Sequence, residues 1–220
     1  MRVTWLGHAG LRVEQGDYTL VVDPGVFCDR PALERALADA DGILITHEHF
    51  DHLAEDAVRA ALAAKPAIEV WTNSGVAAYM EGTPVTVHTI GDGDAFSAGG
   101  IEVRGYGEWH AQIHRDIPLV RNTGFLIGGN VFHPGDALTD PGVPVEVLLL
   151  PSHGPWTRTG DLIDYVRQVK PGRVSPIHNA MLSEIGERSI DTFVAEGPDA
   201  PGGGTGSPLV RMTLGQPFEV

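Results

Sequence analysis

The sequence predicts an α/β protein built as a four-layer αββα sandwich, a single domain spanning 1–220. Three observations point there. Each half of the chain runs from a β-meander into alternating β and α segments, as two facing sheets with helices outside would require. The run "VEVLLL", Val145–Leu150, is almost wholly apolar, which suits a strand covered on both faces. Polar residues with chemistry to offer gather where predicted strands end.

The elements follow in order. Val3–Leu6, Leu11–Glu14 and Thr19–Val22 read as short strands separated by Gly-containing turns. "PALERALADA", Pro31–Ala40, reads as a helix with Pro in its first turn. Gly42–Thr46 is a buried strand, and Ala54–Ala64 an Ala-rich helix. Ile68–Thr72 is a strand, Ser74–Met80 a short helix capped by Ser or Asn, and Pro84–Ile90 a strand again. After "GDGDAFSAGG" the β-content returns with Ile101–Tyr106, Gly124–Gly128, Val131–His133 and Val145–Leu150. Thr159–Lys170 is a helix, Arg173–Ile177 a strand, and Ser189–Glu196 a last helix. "GPDAPGGGTGSP", Gly197–Pro208, reads as a mobile loop before a closing strand, Leu209–Leu214. No repeat of 20–50 residues and no linker divides the chain.

At 220 residues the chain is long enough for a sizeable core, and a hydrophobic content of 42% with mean hydropathy −0.03 is ordinary for a globular domain. The net charge of −14 and pI near 5.0 come without any Lys/Arg run. Nucleic acid and anionic membrane surfaces are therefore not expected partners; a small-molecule substrate is. Bound cations would reverse the sign locally, so an anionic small molecule stays open, as does a homo-oligomer. A lone cysteine, Cys28, rules out an intrachain disulfide and a Cys-based zinc site, and reads as a small semi-buried residue. With no long apolar stretch at the N-terminus or elsewhere, the expected setting is the cytoplasm.

The densest chemistry lies in "ILITHEHFDHLAEDAVRA", Ile43–Ala60. Just past an extended strand, residues two apart point the same way, so His47 and His49 can converge on one ion. Asp51 and His52, at the turn into the next helix, can serve a second position nearby. Imidazole and carboxylate suit Zn²⁺ first, with Mn²⁺, Fe²⁺ or Ni²⁺ also accommodated. A single His-x-His would be read as solvated loop histidines; four ligand-type residues between a buried strand and a helix are far more specific.

This His-x-His-x-Asp-His arrangement resembles the signature of the metallo-β-lactamase superfamily, and the resemblance extends over nearly the whole chain. It implies that Asp23, ending "VVDPG", supports the metal site from behind. It further implies that Asp136 of "VFHPGDA" bridges two metals and that His178 of "RVSPIHNA" binds the second. The third histidine of the first metal comes from "YGEWHAQIHRD". His110 follows the strand end directly, where family members place this ligand; His114 is the alternative, otherwise on a substrate-facing loop. The implied set is His47, His49 and His110 on one ion, Asp51, His52 and His178 on the other, and Asp136 between them. Two such ions would share a hydroxide, and Asp51 beside it would orient it and carry its proton, as in a binuclear hydrolase of a small ester, lactone or phosphodiester.

Departures within the superfamily narrow the field. Oxygen-reducing di-iron members carry Glu where this chain has His49. Thiol-ligated lactamases need a Cys that Cys28, upstream of the motif, cannot supply. Nucleic-acid-processing members add inserted domains or a basic exosite. The layout is most similar to the compact bacterial subgroup around L-ascorbate-6-phosphate lactonase, on the cues "WLGHAGLRVE", "FHPGD" and "LLLPSHGPWT". A non-hydrolytic metal-binding protein and a mononuclear-iron oxidoreductase are the competing readings.

Four histidines remain. His8 in "LGHAG" either edges the site mouth or bonds backbone at a strand end, and His153 in "PSHGPW" is either a pocket or a loop residue. His133 is read as orienting a ligand carboxylate, and His88 as structural. Trp109 and Trp156 flank the pocket loops as apolar walls or pack in the core. No stretch reads as a phosphate-cradling P-loop.

Overall fold

The computed structural model describes residues 1–83 and 85–220. Among the described residues, thirteen strands form two sheets. In the first, β1 (Arg2–Gly7), β2 (Gly10–Gln15) and β3 (Tyr18–Val22) make an antiparallel meander. It continues in parallel through β4 (Gly42–Ile45), β5 (Glu69–Thr72) and β6 (Val87–Thr89). In the second, β7 (Ala95–Ala98), β8 (Ile101–Tyr106), β9 (Gly124–Ile127) and β10 (Val131–His133) run antiparallel. From β10 the order passes in parallel to β11 (Val147–Pro151) and β12 (Arg173–Ile177). A late strand, β13 (Pro217–Glu219), closes the first sheet against β1.

Alternation along the strands decides the layers. In β4, Leu44 packs between the sheets with Leu11, Leu20, Val22, Phe125, Ile127 and Leu149, while Ile43 and Ile45 turn outward. Outside them lie α1 (Arg30–Asp39), α2 (Glu55–Ala64) and α3 (Ser74–Tyr79). The other outer layer is α4 (Thr159–Val169) and α5 (Glu184–Val194), packed on Phe132, Leu148 and Leu150. The expected αββα sandwich is the observed one. The helices carry the signals that define them: α1 takes its cap from Asp29, whose carboxylate accepts from Ala32 N at 3.0 Å, and buries Leu33 and Leu37 on one stripe. No helix among the described residues is long and apolar enough to cross a membrane.

Four expectations need correction. The stretch "GDGDAFSAGG", where no strand is expected, contains β7, which packs Phe96 and Ala98 on the core and whose signal is broken by the glycines on either side. The last helix begins at Glu184 rather than Ser189; Ser183 caps it, and Gly186 in its first turn masks the signal. Leu209–Leu214 is not the closing strand: Leu209 makes one isolated bridge to Val174, and pairing with β1 falls to β13. Gly197–Pro208 is fastened down, with Arg167 donating to the carbonyls of Gly202 and Gly204 and Thr205 Oγ1 to that of Val194. Of the strand expected over Pro84–Ile90, Val87–Thr89 is observed, and Pro84 lies outside the described residues.

Cys28 is buried, and its thiol donates weakly to the Asp23 carbonyl at 3.8 Å. Burial pushes the thiol up to about 12. An unfolded thiol ionises near 8.5, so the folded form's preference for the proton is fully present below about pH 8.5 and fades as pH rises toward 12. At pH 8 the native protein should react with a disulfide reagent at least about 10³-fold more slowly than the denatured chain. Equal rates would show that the thiol is exposed.

Candidate metal centre

The chemistry collects at one edge of the sandwich, where the C-terminal ends of β3, β4, β11 and β12 meet the loops after β8 and β10. Close approach of backbone makes this edge. A Cβ on Gly25 would stand 1.7 Å from the Asp51 carbonyl oxygen, so the loop carrying Asp51 can seat only against glycine. Gly135, at φ +63, sets up the turn that delivers Asp136; a Cβ there would meet Asn122 Oδ1 at 2.2 Å.

Three overlapping groups of ligand atoms result, each with members within 4.8 Å of one another: His47, His49 and His110; His47, His52 and Asp136; and His8, Asp51, His52 and His178. Asp136 lies between the first and the last. Its Oδ2 is 3.4 Å from His110 Nε2 and 3.1 Å from His178 Nε2, and its Oδ1 is 3.1 Å from His52 Nε2.

The hydrogen bonds fix which nitrogen each imidazole offers. Thr46 Oγ1 donates to Asp23 Oδ2 at 2.7 Å and so accepts from His47 Nδ1 at 3.0 Å. His52 Nδ1 donates to Asp23 Oδ2 at 2.6 Å, His110 Nδ1 to the Ala111 carbonyl at 2.6 Å, and His178 Nδ1 to the His153 carbonyl. With every Nδ1 engaged, each ring turns an Nε2 lone pair inward. The Nε2 atoms of His47, His52, His110 and His178 are buried and make no hydrogen bond, and neither does Asp136 Oδ1. Buried polar atoms left this way are costly, and a cation at their convergence would satisfy all of them at once. The donor set, nitrogen and carboxylate oxygen without sulfur, fits Zn²⁺ or a similar divalent ion.

Charge tells the same story. Burial holds the His47 and His49 rings below their usual range, ready to ligate as neutral bases. Burial also opposes charge on His52 and His178, but the surrounding carboxylates outweigh it. Asp136 and Asp23 raise His52 well above its usual range, and Asp136 and Asp51 raise His178 to about 9. Asp51 and Asp136 are held low by these same histidines against the opposing effect of burial. The carboxylates thus draw positive charge inward.

His8 belongs to the centre. It is buried, sits at φ 50, accepts from Ala180 N on Nδ1 at 3.2 Å and gives Nε2–H to Asp51 Oδ2 at 3.1 Å. Its ring lies 4.0 Å from that of His178. Asp23, also at positive φ, braces Thr46 and His52 from behind. His133 has a different task from the one expected. It bonds backbone, Nε2 to the Ala9 carbonyl and Nδ1 from Gly135 N, so it holds the turn before Asp136 and not the carboxylate itself. His153 contributes its carbonyl to His178, and its side chain does not line the pocket. His114 is exposed, 3.6 Å from Asp116, and joins none of the ligand groups. Trp109 faces solvent under Arg121, 4.0 Å over its ring, and is no pocket wall. His88 pairs with Glu69 and stacks on Trp71 as a structural residue.

Two contacts lay beyond sequence reasoning. Asn122 Oδ1 accepts from Asp136 N at 3.0 Å, and Trp156 Nε1 donates to Asp136 Oδ2 at 3.0 Å. Nothing in the spacing of "RNTG" marks the first; for the second, the Trp was visible but its N–H was not. Trp156→Phe keeps the ring and removes the donor. It should weaken metal binding about 10–100-fold in competition with a chromophoric chelator while leaving the Tm nearly unchanged. An unaltered affinity would mean that the indole does not position the carboxylate.

Two helix-covered sheets with a histidine–aspartate cluster at one edge define a metal-dependent hydrolase of the metallo-β-lactamase type. Residues 2–178 match the model described as the β-lactamase superfamily domain, and the chain belongs to that superfamily. It is 35% identical over 188 residues to Protein Rv0786c of Mycobacterium tuberculosis, covering 83% of this chain and 86% of that one. It is 27% identical over 225 residues to the UPF0173 metal-dependent hydrolase MK1542 of Methanopyrus kandleri, covering 89% and 91%. The metallo-β-lactamase fold protein YhfI of Bacillus subtilis shares the fold at TM-score 0.71 and 13% identity, over 100% of this chain and 98% of that one.

Proposed function

We propose that this metal-dependent hydrolase is binuclear and cleaves a small ester, lactone or phosphodiester. His47, His49 and His110 would hold one ion, Asp51, His52 and His178 the other, and Asp136 both. The observation that carries this reading is the set of four buried, unpartnered Nε2 atoms whose Nδ1 atoms are all pinned. When bound, two divalent ions, Zn²⁺ foremost, supply ionised water at neutral pH and Lewis acidity at the scissile oxygen.

The chain's own residues supply order. Asp51, half-buried on the pocket floor and held by His8, offers a carboxylate that stays ionised, so it orients the attacking water by accepting its hydrogen bond. Trp156 and Asn122 hold Asp136 in one position. A mononuclear-iron oxidoreductase or a non-hydrolytic metal-binding protein would have less use for a second complete ligand group, and here His8, Asp51, His52 and His178 are all in place.

The test is metal analysis after reconstitution with Zn²⁺, Mn²⁺ or Ni²⁺, together with hydrolysis of aryl ester, lactone, thioester and bis-aryl phosphodiester substrates. Two equivalents of metal and metal-dependent turnover are expected. A reconstituted protein that holds no transition metal, and a His47→Ala variant identical to it, would sink the reading.

A further inference from the structure

We propose that the substrate is an uncharged carboxylic ester or lactone bearing an apolar group beside the scissile bond. This rests on the hydrolytic reading above and sharpens it. The cavity over the metal centre has a volume of about 300 Å³, at the small end for ligand pockets. Its floor is made of candidate metal ligands: His49, Asp51, His110, Asp136 and His178. Its walls are Phe27, Phe50, Ile113, Pro155, Trp156 and Met181.

No wall residue carries a charge, and their single polar side-chain atom, Trp156 Nε1, is already bonded to Asp136. Once metals occupy the floor, the walls offer a substrate only apolar contact. Phe27, Phe50 and Met181 are 37%, 61% and 52% exposed, large apolar side chains left facing water at the mouth. Phe27 is braced edge-on between His8 at 5.2 Å and Phe50 at 5.4 Å, so the wall is packed in place.

A phosphate or carboxylate elsewhere on the substrate would look for Arg or Lys, the side chains that recognise such groups, and none lines this cavity. It would instead be desolvated against aromatic faces. Of the bonds open to the site, the acyl–oxygen bond of a neutral ester or lactone therefore fits best. In that hydrolysis the water oxygen bonds to the acyl carbon and the acyl–alkoxy bond breaks. One water proton ends on the departing alkoxide, and no electron is exchanged with an outside partner.

The metal-loaded protein should be assayed on p-nitrophenyl acetate, butyrate, valerate and hexanoate, on the anionic p-nitrophenyl hemiglutarate, and on bis(p-nitrophenyl) phosphate. The expected kcat/KM rises about three- to fourfold per methylene from acetate to butyrate. It should be at least about tenfold lower for hemiglutarate than for valerate. Met181→Ser and Phe50→Ser should flatten the chain-length dependence. Independently of turnover, the metal-free protein should bind 2-octanone at least about tenfold more tightly than octanoate. The Trp156 indole N–H resonance, assigned with Trp156→Phe, reports that binding.

A flat chain-length series, or anionic esters and the phosphodiester cleaved as fast as valerate, would overturn the apolar-substrate proposal and leave the hydrolase reading intact. Preferential 2-octanone binding without cleavage of any substrate would support the pocket assignment and overturn the hydrolytic reading. Neither cleavage nor selective binding would overturn both.

Discussion

His110→Ala should remove about one equivalent of metal and lower turnover by at least 100-fold, while His114→Ala should retain both within about twofold. The margin follows from position. His110 is buried, and its Nε2 is 3.4 Å from Asp136 Oδ2. Its ring centroid lies 5.0 Å from that of His47 and 4.7 Å from that of His49. Disturbing a residue that merely orients a ligand costs about 10–100-fold, so deleting a ligand should cost at least the upper figure. His114 is exposed beside Asp116 and touches none of these groups. Metal content by plasma emission and kcat on the most active substrate decide the matter. Metal loss in His114→Ala but not in His110→Ala would reverse the assignment.

The second large effect is expected at a residue with no chemistry of its own. Gly25→Ala would place a methyl group 1.7 Å from the Asp51 carbonyl oxygen, with the Asp51 carbonyl carbon at 2.1 Å and His52 N at 2.7 Å. All three are backbone atoms, so no side chain can swing away to make room. The loop from His49 to Ala54 is also bonded here, Ala54 N to the Pro24 carbonyl at 2.8 Å and Val26 N to the Phe50 carbonyl at 2.9 Å. We expect a loss of about 3 kcal/mol or more, a fall in Tm of about 6–12 °C for a chain of this size, and weaker metal binding through displaced Asp51 and His52. A variant with unchanged Tm and metal affinity would show that the loop can shift freely.

The sandwich was legible because each half of the chain runs from a meander into alternating β and α segments, because a run such as Val145–Leu150 is apolar enough for a strand covered on both faces, and because Pro31 marks the first turn of α1. Along the chain the ligand-type residues were legible as well, since each follows a strand end. What stayed hidden depends on contacts between segments far apart in sequence. His8 meets Asp51 across 43 positions and Ala180 across 172, and no local pattern encodes either distance. Asn122 reaches Asp136 through the turn at Gly135, whose need for glycine appears only when the two are seen together. The missed strand β7 and the late start given to α5 have a simpler cause: glycine lowers the local signal even where tertiary packing supports the element.

The bond from His178 N to the His8 carbonyl, at 3.0 Å, ties the first hairpin of one sheet to the ligand-bearing end of the other. During synthesis the ribosome delivers the His47–His52 motif early, His110 and Asp136 later, and His178 later still. The strand that closes the first sheet beside β1, Pro217–Glu219, emerges after all of them. A nascent chain can thus present half a chelating set long before the rest exists, and capture by the full set has to wait for the second sheet to dock. Timing, as well as affinity, would then govern which ion the newborn protein keeps.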